Sequence, residues 1–147
     1  MTISAQALDL AARVEAFVRD VVVPYESDPR RDHHGAPLDE MVMEMREKAR
    51  AAGVLTPHVL PGGGHLTQRE TAIVLQKSGL SPLGPLACNT MAPDEGNMYL
   101  LGKVGNPELK ERFLKPMVEG HARSADIRLA KFFPGDVFDL THGNAKP

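Results

Sequence analysis

The sequence predicts an all-α fold, a bundle of five or six helices followed by an irregular C-terminal tail. Two observations carry this. Apolar residues recur at spacings of three and four through several segments, the period of a helix with one buried face. Helix start signals then stand in front of those segments, most clearly at Thr67 and Asn106.

The first helix is expected from Ser4 to Val22, with Leu8, Ala11, Val14, Phe17, Val18 and Val21 on one stripe and Pro24 stopping it. Glu26 to Pro37 is charged and turn-rich and reads as a loop. A second helix, Leu38 to Ala52, carries Leu38, Met41, Met45, Ala49 and Ala52 on its apolar side, with Glu44 and Lys48 paired at the surface and Gly53 after its end. Thr67-Gln68-Arg69-Glu70 is a capping box, opening a third helix to Ser78 with Val74, Leu75 and Ser78 inward and Gly79 beyond. A short helix is expected between Ser81 and Ala92. Pro93-Asp94-Glu95 opens another, in which Met98, Leu101 and Tyr99 pack. Asn106-Pro107-Glu108 opens the last, with Leu109, Phe113 and Met117 on one face and Gly120 at its end. The expected core is Leu8, Val14, Phe17, Met41, Met45, Leu75, Leu101, Leu109, Phe113 and Met117. Residues 1–121 form the helical domain and 122–147 an atypical tail, where Ala122 to Leu129 could begin a strand and Lys131 to Pro147 keeps no period.

The length of 147 residues suits one domain with a real core. A net charge of −2 with no basic face argues against nucleic acid as the partner. No apolar run approaches the ~20 residues that span a bilayer. Cys88 is the lone cysteine, which fits a reducing compartment, and no secretory signal stands at the N-terminus. A cytoplasmic location is expected.

Candidate chemistry is sparse. The six histidines, His33, His34, His58, His65, His121 and His142, show no compact ligand spacing and read as exposed loop residues. Gly62-Gly63-Gly64 has neither a strand before it nor a Lys-Ser or Lys-Thr pair after it, so it reads as a tight turn rather than a phosphate cradle. Cys88 lacks an activating neighbour and reads as a small buried residue. Asp94 and Glu95 are explained by the positive end of a helix dipole. No self-sufficient active site and no metal site is expected.

Four segments, taken in order, resemble the acyl-CoA dehydrogenase family. They are REKARAAGVLTP (Arg46 to Pro57), LPGGGHL (Leu60 to Leu66), PLGPLACNTMAPDEGNMYLLGKVGN (Pro82 to Asn106) and ELKERFLKPMVEGHARSA (Glu108 to Ala125). The resemblance covers Leu8 to Ala125 and implies the family's N-terminal helical domain. It implies a FAD-dependent oxidoreductase of fatty-acid metabolism that desaturates acyl-CoA thioesters between the alpha and beta carbons. In the family this domain walls the acyl-chain pocket, which points to Met91, Ala92, Glu95, Met98 and Tyr99. The family then continues through a Thr-Glu-Pro turn into the flavin and catalytic-base domains. Here the chain runs DIRLAKFFPGDVFDLTHGNAKP instead, as though the gene were truncated or frameshifted after about Ala125. The expectation is therefore a chain that retains no FAD and is inactive alone, with self-association or a partner chain covering its apolar face. The alternative is a stand-alone helical module that binds an acyl chain or a protein without catalysis.

Overall fold

A computed structural model of the chain describes residues 2–60, 64–125, 137–139 and 144–145. Six helices run through the described residues. Helix α1 (Ala5–Phe17) continues through a π-helical turn (Val18–Val22) and a 3-10 turn (Val23–Ser27). Helices α2 (Asp39–Ala51), α3 (Gln68–Ser78), α4 (Gly84–Ala87) and α5 (Asp94–Val104) come next. The sixth, α6, opens as Pro107–Leu109, passes through a π-helical stretch at Lys110–Leu114, and closes as Lys115–Val118.

The caps form as their residue types dictate. Ser4 Oγ accepts from Ala7 N at 3.2 Å, and Ser4 N donates to Glu70 Oε1 at 3.1 Å, so one serine starts α1 and ties it to α3. Thr67 and Glu70 complete the capping box, with Thr67 Oγ1 accepting from Glu70 N at 3.3 Å. Asn106 Oδ1 accepts from Leu109 N at 2.8 Å. Gly53 stands after α2 at φ +66°, a left-handed conformation that L side chains resist. Gly84 is needed for another reason: a Cβ there would stand 1.9 Å from the Ser78 carbonyl oxygen, so only glycine lets α4 approach the end of α3.

The interior divides in two. Leu10, Val14, Phe17 and Val18 of the first helix meet Met41, Met45 and Ala49 of α2, Val74 of α3, and Leu83, Ala87 and Cys88 around α4. A second cluster joins Met98 and Leu101 of α5 to Phe113, Leu114 and Met117 of α6. Between them lies a polar seam at the end of α6, where four carbonyls near the helix end each receive a side-chain donor. Asn89 Nδ2 donates to Met117 O at 2.8 Å, Thr56 Oγ1 to Val118 O at 2.6 Å, Arg50 Nη2 to Glu119 O at 2.6 Å, and Arg46 Nη1 to Gly120 O at 2.6 Å. Arg46, itself buried, also donates to Leu86 O and Asn89 Oδ1, and Asn89 Nδ2 donates to Thr56 Oγ1.

Most of the expected core is buried, with three differences. Leu8 is 53% exposed. Successive helical residues turn by about 100°, and Ala7, Leu10, Ala11 and Val14 define the buried stripe, which leaves Leu8 outside it. Leu109 is 36% exposed because the π-helical stretch after it inserts extra backbone, so spacing four from Leu109 to Phe113 no longer keeps one face. Leu75 is half-buried against the first core, and Leu38 and Ala52 of the expected α2 stripe are exposed. Pro24 does not stop a regular helix. The backbone has already shifted to π spacing at Val18, and Pro24 sits in the first turn of the 3-10 segment, where its missing N–H costs nothing.

The expected strand after Ala122 forms as β1 (Arg123–Ala125). It pairs in parallel with β2 (Val137–Asp139), which pairs antiparallel with β3 (Asn144–Ala145). The described tail residues include these short strands. Pairings of two or three residues are too short to leave a period in a sequence. The remaining tail residues, and Pro61, Gly62 and Gly63, lie outside the described residues.

These contacts set two stability tests. Asn106→Ala removes the α6 cap and is expected to cost about 1 kcal/mol in thermal or urea unfolding. Arg46→Leu leaves three acceptors without their donor and is expected to cost about 3 kcal/mol by the same measurement. An unchanged midpoint in either variant would show that water replaces the lost donor or acceptor.

Candidate functional site

The segment that leads into α5 is fixed at its first turn. Asp94 is buried, and its Oδ1 accepts from Ser124 N at 2.5 Å and from Ser124 Oγ at 2.7 Å. Asn97 Nδ2 donates to Ser124 Oγ at 2.8 Å, and Arg123 Nε stands 3.7 Å from Asp94 Oδ2. An acid at a helix start was expected to serve the dipole. Asp94 does so and also fastens β1 across the helix end, a role without a sequence signal because Ser124 is thirty residues away.

The five expected pocket-wall residues separate by position. Met98 is buried in the second core, while Met91, Glu95 and Tyr99 are half-buried and Ala92 is exposed. Tyr99 meets the His65 ring edge-on, with centroids 4.7 Å apart, and Lys103 Nζ lies 5.6 Å from the Tyr99 centroid. The structure therefore brings Glu95 and Tyr99 to one place and leaves Ala92 outward.

The histidines correct the sequence expectation. His33, His34 and His121 are exposed as expected, and His142 lies outside the described residues. His58, however, is 0% exposed, with neither ring nitrogen hydrogen-bonded, and His65 is half-buried. The chain turns back on itself here: Leu66 N donates to His58 O at 3.1 Å, Leu60 N donates to Gly64 O at 2.8 Å, and Val59 bridges to His65. This carries the two imidazoles to centroids 5.3 Å apart. His65 Nδ1 faces the Leu66 carbonyl at 2.9 Å. A carbonyl only accepts, so Nδ1 carries the hydrogen and Nε2 presents a lone pair. That Nε2 is buried without a partner. One ring nitrogen of each histidine and a Glu95 carboxylate oxygen all lie within 4.8 Å of one another, so these three side chains could hold a metal ion. Burial, and then the neighbouring His65, lower the His58 pKa to about 4, which leaves it neutral at pH 7. The sequence hid this cluster because His58 and His65 are seven apart on a loop and Glu95 arrives from a different element.

Cys88 is the small buried residue expected of it. Burial pushes its thiol up to about 12, so it is not a thiolate nucleophile at neutral pH. A separate open groove of about 940 Å³ runs between α1, residues 53–60 and α6. Leu10, Leu60, Leu114 and Val118 line it together with Arg50 and Lys115, and none of Met91, Ala92, Glu95, Met98 or Tyr99 does.

Residues 4–121 match the family described as acyl-CoA dehydrogenase, N-terminal domain. Among curated relatives, the chain is 33% identical over 131 residues to probable acyl-CoA dehydrogenase FadE2 of Mycobacterium tuberculosis, covering 83% of this chain and 31% of that protein. It is 33% identical over 121 residues to acyl-CoA dehydrogenase family member 10 of Mus musculus, covering 74% of this chain and 11% of that protein. Among solved structures it resembles "Structure of a putative acyl-CoA dehydrogenase from Mycobacterium abscessus", with a TM-score of 0.64, 33% identity, and coverage of 85% of this chain and 34% of that one. The chain thus spans about a third or less of the length of these relatives.

The state of His58 makes stability depend on pH. Its pKa is about 4 in the fold against an ordinary 6.5, so the unfolded chain takes up a proton that the folded chain refuses. Stability is then full above pH 6.5 and is lost as pH falls through 6.5 toward 4, by about 3 kcal/mol in all at about 1.4 kcal/mol per pH unit. Urea unfolding in metal-free buffer should show this loss, and His58→Phe should flatten it. An equal slope in that variant would assign the acid sensitivity to other groups.

Proposed function

The chain belongs to the acyl-CoA dehydrogenase family through its N-terminal domain, and from that premise we propose its role: residues 1–121 wall the acyl-chain pocket of a FAD-dependent oxidoreductase that removes hydrogen from the alpha and beta carbons of acyl-CoA thioesters. The family match over residues 4–121 is the observation that carries this reading. Met91, Ala92, Glu95, Met98 and Tyr99 are the proposed wall. Met91, Glu95 and Tyr99 are half-buried on one side of α5 and its approach, while Met98 supports them from the second core.

In this role the chain supplies packing and not the reaction. Abstraction of an alpha proton needs a positioned base, and the hydride needs a flavin against the beta carbon. A flavin pyrophosphate is commonly held by a glycine-rich turn between a strand and a helix start. Among the described residues β1, β2 and β3 all come after α6, so none feeds such a turn. Asp94, the buried carboxylate of this region, is already engaged by Ser124. The isolated chain is therefore proposed to retain no FAD and to be inactive alone, in a cytoplasmic setting, with 122–147 as a tail outside the domain. Exposed Leu8, Leu100, Val104 and Leu109 motivate self-association or a partner chain.

One observation favours a second reading, a stand-alone helical module that binds an acyl chain or a protein. The groove beside α1 and α6 joins apolar Leu10, Leu60, Leu114 and Val118 to a charged edge on which the cations Arg13, Arg50, Lys110 and Lys115 outnumber Glu111 and Glu119, which suits a ligand with an apolar tail and an anionic head.

Purification with excess FAD, removal of free flavin and a visible spectrum test the main reading. The expected spectrum lacks a flavin band. A stoichiometric band that bleaches on addition of an acyl-CoA would overturn it and identify a working enzyme. Saturable binding of an acyl-CoA without flavin, lost in Leu60→Glu with helix content unchanged and kept in Tyr99→Ala, would select the module.

A further inference from the structure

We propose that His58, His65 and Glu95 form a binding site for one divalent transition-metal ion of the zinc type, which would pin residues 58–60 and 64–66 to α5. The proposal is independent of the acyl-CoA reading, although Glu95 and Tyr99 belong to both surfaces.

Four observations converge on it. First, the donor set is two imidazoles and a carboxylate within 4.8 Å, a set zinc accepts with its fourth position left to water. Second, His58 is fully buried with both ring nitrogens unpaired. A buried polar atom without a partner is costly, and a metal bond removes that cost at one of the two nitrogens. Third, His65 is already oriented as a ligand. Its Nδ1–H is taken by the Leu66 carbonyl, and Nε2 is buried, unpaired and free to coordinate. A backbone carbonyl on the far nitrogen is the usual support of a metal-bound histidine. Fourth, the Tyr99 ring stands edge-on to His65 and restricts its rotation.

The dimensions are compatible. Tetrahedral zinc with bonds of about 2.0–2.1 Å sets its donors roughly 3.3 Å apart. The cluster must therefore contract by up to about 1.5 Å, through rotamer changes of the half-buried His65 and Glu95 side chains. The nitrogens and a single carboxylate favour zinc, cobalt or nickel over magnesium or calcium, which prefer all-oxygen shells.

The full chain, stripped with a chelator and dialysed, is titrated with zinc chloride by calorimetry and by thermal unfolding. One zinc per chain is expected, with an unfolding midpoint that climbs as zinc is raised further above the dissociation constant. Magnesium and calcium at the same concentrations should leave the midpoint unchanged. Cobalt should give the visible bands of a four-coordinate site. His65→Gln and Glu95→Gln each keep a half-buried residue of similar shape, and each should weaken zinc binding at least tenfold while circular dichroism shows the same helix content. The adjacent exposed pair His33 and His34 is the competing site, so His33→Gln/His34→Gln should bind zinc as the parent chain does. Absence of a zinc-dependent midpoint shift, or a shift that survives in His65→Gln and Glu95→Gln, would overturn the proposal. Loss of the shift in the His33/His34 variant would do so as well.

Discussion

The end of α6 is the constraint on which the arrangement of the two cores depends. A helix leaves its last carbonyls without partners in its own backbone, and burying them unpaired is costly. Here Met117, Val118, Glu119 and Gly120 each receive a donor from another element: Asn89, Thr56, Arg50 and Arg46. Two of those donors are guanidinium groups, which also suit the negative end of the helix dipole. Satisfying four acceptors from α2, the loop after it and the turn after α4 fixes where α6 can lie. Thr56 and Asn89 hold left-handed backbone angles, at φ +49° and +56°, in order to reach it. Local strain at two loop residues is thus offset by hydrogen bonds that no local sequence signal announces.

Placing α6 also places α5 and β1. Met98 and Leu101 pack on Phe113, Leu114 and Met117, so the position of α5 is set by that of α6. Asp94 then takes Ser124, and the chain leaves the helical domain as β1 in a direction set by that carboxylate. The same geometry carries Glu95 and Tyr99 toward His65, beside which His58 also lies. The half-buried flank of α5 is therefore where the acyl-pocket reading and the metal-site reading meet.

Sequence periodicity and capping chemistry made much of this fold legible. The caps at Thr67 and Asn106 are local hydrogen bonds between residues three apart, and they form as their residue types dictate. Val14, Phe17, Met41, Met45, Phe113 and Met117 are buried as their spacing implies. Leu8 and Leu109 were misplaced for the reason that helical spacing assumes an unbroken 3.6-residue turn and a known stripe centre. A π-helical stretch breaks the first assumption after Leu109, and small Ala7 moves the stripe centre away from Leu8. The candidate site was less legible. A resemblance could point to Met91 through Tyr99, but nothing in the chain's local pattern distinguishes buried His58 from exposed His33. That difference arises only when Val59 bridges His65 and α5 closes over the loop.

The polar seam has a consequence for how the domain comes apart. The α5–α6 pair packs chiefly on itself, and its junction with α1–α4 runs through hydrogen bonds to one helix end. Apolar contact resists separation over its whole area, whereas a row of hydrogen bonds can be exchanged for water one after another. The α5–α6 pair is therefore expected to open as a block at a lower free energy than global unfolding, its backbone amides exchanging together while those of α1 and α3 stay protected.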